Sequence, residues 1–207
     1  TRRQRCFDYY LRGPHNVNQA IDRDVPQDFL LPLGYKSEII KDYFTNYYHR
    51  ANDINVELKA GHIECSNADG EDWIVRMIDT GQNTMTGGRL LRLESILRSE
   101  GTFMLTYGDG VANIDINALI NFHKKHGKLA TVTAVRPPAR FGTMEFDGAL
   151  VVDFHEKPQT GEGWINGGFF VFESEIFDYL HSDDTILEGD PLESLAREKQ
   201  LVGFCHT

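Results

Sequence analysis

The sequence predicts an α/β layer structure. Strand-like and helix-like patterns alternate from Phe29 to the end of the 207 residues. The run "FMLTY" (103–107) is continuously apolar, as in a central parallel strand covered on both faces. Helical stripes lie between such runs, with Ile39, Ile40, Tyr43, Phe44 and Tyr47 on one face of 37–50 and Leu90, Leu93, Ile96 and Leu97 on one face of 89–99. The length suits one good-sized domain or two small ones.

The elements follow in order. Residues 1–28 carry many charges, few aliphatics and little periodicity, so they read as a loop or poorly ordered segment without a strand. The folded domain is then 29–207. "FLLPLGY" (29–35) reads as a buried strand ending in a turn, and Ser37 is placed to cap the helix over 37–50. "DINVELK" (53–59) and "WIVRMIDT" (73–80) alternate like strands with a polar loop between them. A glycine-rich connection (81–88) leads into the helix over 89–99. After "FMLTY", Asp115 caps "INALINFHKKH" and Gly127 stops it. "LATVTAV" (129–135) is the next strand, and 143–158 reads as a hairpin turning at Asp147-Gly148. "GGFFVF" (167–172) is another strand, and helices near 173–181 and 190–199 close the chain.

Composition narrows the function classes. A formal net charge of −10 argues against broad nucleic-acid binding and against an anionic membrane surface. The sequence has no apolar run long enough to span a bilayer and no signal-like start, which predicts a cytoplasmic protein. Cys6, Cys65 and Cys205 are far apart with no CxxC, so they read as free thiols in a reducing compartment. His123 and His126 share a helix face among lysines and read as solvated. No P-loop and no Ser–His–Asp or Cys–His arrangement is visible.

Three stretches carry chemistry. In "TYGDG" (106–110) a carboxylate stands between two glycines at a strand end, where α/β sheets bind ligands. Asp109 there is either a turn-former bonding its own backbone or a ligand for Mg²⁺. "DTGQNTMTGGRL" (79–90) combines Gly81, Gly87 and Gly88 with Thr80, Thr84 and Thr86 before a helix. It is either a flexible surface connection or an anion site using unpaired N–H groups, with Arg89 adding a bidentate contact to phosphate. "FHEKPQTGEGWINGGFFVF" (154–172) holds Glu156, Lys157 and Asn166. Lys157 suits a phosphate and Glu156 and Asn166 suit hydroxyls, unless the Glu–Lys pair is an ordinary surface pair beside a hairpin. Arg140 and Gly142 in "PPARFGTMEF" are suggestive only.

Taken together, "DTGQNTMTGGRL", "LTYGDGVANIDI", "RFG", "EKP" and "INGGFFVF" resemble the sugar nucleotidyltransferases, in the form of their glucose-1-phosphate cytidylyltransferase branch. The resemblance runs from about Asp28 to the last residue. It implies a Rossmann-like nucleotidyltransferase fold with a mixed, mostly parallel central sheet flanked by helices. It also implies CDP-glucose and pyrophosphate made from CTP and α-D-glucose 1-phosphate, for dideoxy-sugar and surface-polysaccharide (O-antigen) synthesis. By this likeness Asp109 ligates Mg²⁺, and Thr84, Gly87, Gly88, Arg89 and Gly108 bind the nucleotide. Glu156, Lys157, Asn166 and Gly167 hold the sugar phosphate, with Arg89 and Lys157 as the catalytic cations. Relatives assemble as homo-oligomers, hexamers in this branch.

Two departures shape a further expectation. The family's amino-terminal "GGxGTRL"-type loop and its following "KP" lysine have no counterpart in residues 3–27, and its second metal-binding aspartate falls beyond Thr207. Without the loop's strand the sheet is expected to be open, and this chain to turn over weakly or not at all. A non-catalytic relative that binds sugar phosphate or joins an oligomer is one alternative. A GT-A-type glycosyltransferase is another, though Gly-Asp-Gly replaces its usual Asp-x-Asp.

Overall fold

Seven strands form one mixed sheet in the computed structural model, which describes residues 8–12, 27–66, 73–108, 110, 112–136, 143–147, 150–155 and 163–206. In chain order the strands are β1 (Asp8–Arg12), β2 (Gln27–Leu33), β3 (Asp53–Glu57), β4 (His62–Ser66), β5 (Trp73–Asp79) and β6 (Phe103–Tyr107). They continue as β7 (Ala130–Val135), β8 (Thr143–Asp147), β9 (Leu150–His155), β10 (Ile165–Phe172) and β11 (Leu201–His206). The large sheet is ordered β11-β7-β10-β6-β1-β2-β5, and β3-β4 and β8-β9 form separate hairpins. Strands β2, β5, β6, β7 and β11 run one way, while β1 and β10 run against them. The helices are α1 (Ser37–Thr45), α2 (Tyr47–Ala51), α3 (Thr86–Leu91), α4 (Glu94–Leu97), α5 (Ile116–His126) and α6 (Asp190–Arg197), with short 3-10 turns at Arg98–Glu100 and Ser174–Tyr179.

The expectation that 1–28 holds no strand is corrected by β1. It sits between β6 and β2, antiparallel to both, with Tyr10 opposite Leu105 on one side and Leu30 on the other. Tyr-Tyr-Leu has strand propensity, but its five residues are too few to show a period among charged neighbours. The slot expected to stand open is thereby filled. It also follows that β6, although central, has antiparallel neighbours on both sides rather than parallel ones.

The core explains the strongest sequence signals. Phe103, Leu105, Phe170 and Phe172 are buried with Leu30, Leu90, Leu93 and Leu97 in one cluster, and Phe170 stacks on Phe172 at 5.4 Å between centroids. Each buried side chain of this size contributes about 1.5–3 kcal/mol of burial free energy. A second cluster of Met104, Ile114, Leu119 and Val171 lies under α5. Asp115 caps α5 as expected, accepting from the Ala118 amide at 2.9 Å, and Gly127 ends it in the left-handed region.

Several expectations fail where tertiary context decides. Ser37 is not the cap of α1, because the turn closed by the Ser37 amide on Gly34 O sets Lys36, at φ 57°, as the capping residue. The apolar stripe of α1 buries no residue, and Ile39 is 56% exposed. Periodicity marks an apolar face without saying what covers it. Residues 62–66, expected as loop, form β4, and the chain closes on β11 rather than on a helix. The helix expected near 173–181 is 3-10 in form.

His123 is not solvated, and His126 is half-buried. His123 is 1% exposed, with Nδ1 2.7 Å from Thr131 Oγ1 and Nε2 3.0 Å from Glu173 Oε1. His126 Nε2 lies 2.7 Å from the same hydroxyl, while its Nδ1 accepts from the Lys128 amide. That last bond leaves Nε2 as the protonated nitrogen of a neutral His126, so it donates to Thr131. Lysine neighbours at i+1 say nothing about the face a histidine turns inward.

Candidate active site

Strands β2, β5, β6 and β7 end at one rim of the sheet, and β10, running against them, begins there. Gly34, Thr80, Gly108 and Asn166 lie at or just beyond these strand ends and share that rim. This is the edge where open α/β sheets receive ligands, because carbonyl ends and loops converge there.

Arg89 is a nearly buried cation at the rim. It is 8% exposed, and Nη1 donates to Thr80 Oγ1 at 2.7 Å. Thr80 is fully buried and donates its own proton to Leu33 O at 2.9 Å, so it presents a lone pair to the guanidinium. A Cβ on Gly34 would sit 2.4 Å from Arg89 Nη2, so the missing side chain at Gly34 is what admits the guanidinium. No carboxylate among the described residues pairs with Arg89. A nearly buried cation with hydroxyl and backbone neighbours is costly to desolvate, and an incoming anion offsets that cost.

The adjacent loop is held from the other side. Gly81 is at φ 87°, its amide donates to Asp79 Oδ1 at 2.9 Å, and Thr84 is buried. The amides of Gly87 and Gly88 are not unpaired, as the sequence suggested: both donate to Thr185 O, at 2.9 and 3.1 Å. The Met85 amide donates to Asp183 O at 2.8 Å. A Cβ on Gly88 would lie 2.4 Å from Asp183 O, and one on Gly87 2.8 Å from the Thr185 methyl. In this structure the glycine pair admits the 183–187 backbone, which fixes the start of α3. Arg92 Nε also donates to Asp183 Oδ1, holding that carboxyl below its ordinary pKa; the pair is exposed and adds little stability.

On the opposite side of the rim, Asn166 Oδ1 accepts from the Gly168 amide at 2.8 Å and Nδ2 donates to Tyr107 Oη at 3.2 Å. Gly168 is at φ 81°, and the register of β10 shifts between Asn166 and Phe170. A Cβ on Gly167 would meet Thr133 Oγ1 at 2.8 Å, so this glycine admits β7. The structure thus brings Thr84, Gly87, Gly88, Arg89, Gly108, Asn166 and Gly167 around one rim. Asp109, Glu156, Lys157, Arg140 and Gly142 lie outside the described residues. Sequence reading missed Gly34, the docking role of 183–187, and Glu188; only Gly34, a glycine closing a strand, left a visible signal.

The model of the nucleotidyl transferase family matches residues 38–200. The chain belongs to that family. Within it the chain is 42% identical over 180 residues to a glucose-1-phosphate cytidylyltransferase of Salmonella typhi, covering 87% of this chain and 70% of that protein. A probable glucose-1-phosphate cytidylyltransferase of Bacillus subtilis is 39% identical, covering 86% and 70%. Among solved structures, HddC from Yersinia pseudotuberculosis superposes with a TM-score of 0.52 at 20% identity, covering 85% of this chain and 68% of that one. That likeness shows the fold, a nucleotidyltransferase α/β fold.

No group of three or more His, Cys, Asp or Glu able to hold a metal occurs among the described residues. Mg²⁺ does not require one: it takes one or two carboxylates and completes its shell with water and phosphate. Among the described residues, a Cβ on Gly110, next to Asp109 in sequence, would meet nothing within 4 Å.

Proposed function

We propose that this chain transfers a cytidylyl group from CTP to α-D-glucose 1-phosphate, forming CDP-glucose and releasing pyrophosphate. The observation that carries this reading is Arg89, nine-tenths buried at the rim with no carboxylate partner among the described residues. The named activity of the two bacterial relatives supports the same substrates. A sugar-phosphate oxygen attacks the α-phosphorus, the new P–O bond forms, and the bond to pyrophosphate breaks. Such a displacement needs positioning and charge neutralisation rather than a protein nucleophile.

Thr84, Gly108 and Arg89 line the nucleotide side, with Arg89 placed to stabilise charge on the phosphates. The glycine pair Gly87-Gly88 serves that side by fixing α3. Asn166 and Gly167 form the sugar side, joined by Glu156, with Lys157 holding the sugar phosphate. Asp109 would hold Mg²⁺, which when bound neutralises phosphate charge. The reading includes a cytoplasmic location and a supply of dideoxy sugars for surface polysaccharide. It also includes a homo-oligomer. The β3–β4 hairpin supports this last point: Ile54, Val56 and Ile63 are all exposed, and a two-stranded sheet is marginal alone in water.

The test is pyrophosphate release by the purified chain with Mg²⁺ and glucose 1-phosphate, offering CTP, UTP, dTTP and ATP separately. Release with CTP alone is expected. Silence with all four, from a chain shown to be folded, overturns the reading.

A further inference from the structure

The geometry points to Glu188 as a positioning residue that fixes Asn166 on the sugar-phosphate side of the site; this rests on the reaction proposed above. Glu188 lies in the segment that docks on α3, outside every stretch singled out in the sequence. Its carboxylate accepts from two elements at once: Tyr107 Oη donates to Oε1 at 2.6 Å, and Thr86 Oγ1 donates to Oε2 at 2.8 Å. The Leu187 amide donates to Thr86 Oγ1 at 3.0 Å, which closes the segment onto the start of α3.

The direction of these bonds matters. A carboxylate only accepts, so it draws the single hydroxyl proton of Tyr107 toward itself. Tyr107 Oη is then left with lone pairs for Asn166, and only the Nδ2 end of that amide can face it. The other end, Oδ1, accepts from the Gly168 amide. The Nδ2 end is therefore oriented by a chain of bonds that begins at Glu188, and the Oδ1 end by the Gly168 amide. Asn166 is itself exposed at the rim. Glu188 also ties Thr86, at the start of the arginine-bearing helix, to the strand end that precedes Asp109. It acts through Tyr107 and Asn166 and does not itself reach the reacting atoms.

Replacing Glu188 by Gln keeps the shape but turns one acceptor into a donor. A hydroxyl proton is released, and a Tyr107 that donates to Asn166 competes with the Gly168 amide for Oδ1. Tyr107→Phe removes the relay atom and keeps the ring that packs on Phe170 at 5.8 Å.

Two readouts test this in the full chain. The first is pyrophosphate release by wild type, Glu188→Gln, Tyr107→Phe and the double variant. Each single substitution is expected to lower kcat/KM for glucose 1-phosphate on the order of ten- to a hundredfold, the scale of a misplaced contact. The KM for CTP is expected to stay within about twofold, and the double variant to lose no more than the worse single, because the residues act in series. The second is amide hydrogen exchange without ligand, where Gly168 is expected to exchange faster in both variants. Additive losses, or a lowered melting temperature with unchanged kcat/KM, overturn the proposal. If the wild type releases no pyrophosphate, the reaction fails and exchange with calorimetric binding of glucose 1-phosphate decides. Faster Gly168 exchange with weakened binding then upholds the positioning role, and unchanged exchange or no binding by the wild type overturns it.

Discussion

Replacing Gly88 by alanine sets two effects against each other. Gly88 lies within α3, where alanine is favoured over glycine by about 1 kcal/mol of helix propensity. Against this, the new Cβ would lie 2.4, 2.6 and 2.7 Å from the O, Cα and C of Asp183, all backbone atoms. Ordinary contact begins at 3.4 Å, so the 183–187 segment must retreat by about 1 Å. That movement strains three hydrogen bonds, from Met85 to Asp183 and from Gly87 and Gly88 to Thr185. At roughly 0.5–1.5 kcal/mol each, their loss costs about 2–4 kcal/mol. The steric side wins, leaving a net destabilisation of about 1–3 kcal/mol, read by urea denaturation at constant m-value. Gly110→Ala is the control, since its Cβ meets nothing within 4 Å, and it should stay within about 0.5 kcal/mol of wild type. A Gly88→Ala chain as stable as the control, or more stable, would refute the packing account and return the glycine pair to a ligand-cradling role.

Gly34→Ala should displace the Arg89 guanidinium and break its bond to Thr80, raising the KM for CTP about tenfold or more while the fold survives, because the clash is with a side-chain end; an unchanged KM contradicts the role given to Arg89. Asp115→Ala should cost about 1 kcal/mol by removing the α5 cap, measured by denaturant melts, and a change under a few tenths would count against it. Acid should destabilise the fold in two stages. Burial, then His123 and Lys128, lower the His126 pKa from 6.5, so its contribution is full above that value and fades as pH falls below it. The hydrogen bond from His123, aided by Thr102, lowers the Glu173 carboxyl below its ordinary value, so its contribution persists to lower pH and is lost only as pH falls through that depressed range. Melting temperature against pH should flatten in the upper stage for His126→Asn and in the lower one for Glu173→Gln; parallel curves for all three proteins would exclude the assignment.

Where one local signal suffices, the sequence by itself determined the outcome. The β6 strand, the Asp115 cap and the Gly127 stop need only neighbours in the chain and stand as read, as does the burial of Leu90, Leu93 and Leu97. The parallel neighbours expected of β6 and the single helix expected over 89–99 do not: β6 lies between antiparallel strands, and 86–100 divides into α3, α4 and a 3-10 turn. Family membership was legible for a similar reason: contiguous motifs carry it. What required the tertiary structure was every relation between distant segments. Whether an apolar stripe is covered depends on what packs on it, so α1 stays exposed while the equally periodic 89–97 stretch is buried. Whether a histidine among lysines faces water depends on a threonine of β7 and a glutamate just after β10. A five-residue strand such as β1 has no period to display and is defined by the two strands that receive it. Gly87 and Gly88 read as a cradle for an anion until the 183–187 backbone takes their amides, and Glu188 carries no local mark because its partners lie 81 and 102 residues away. Side-chain identity and spacing fix local propensity, and only the packed chain fixes which donors and acceptors find each other.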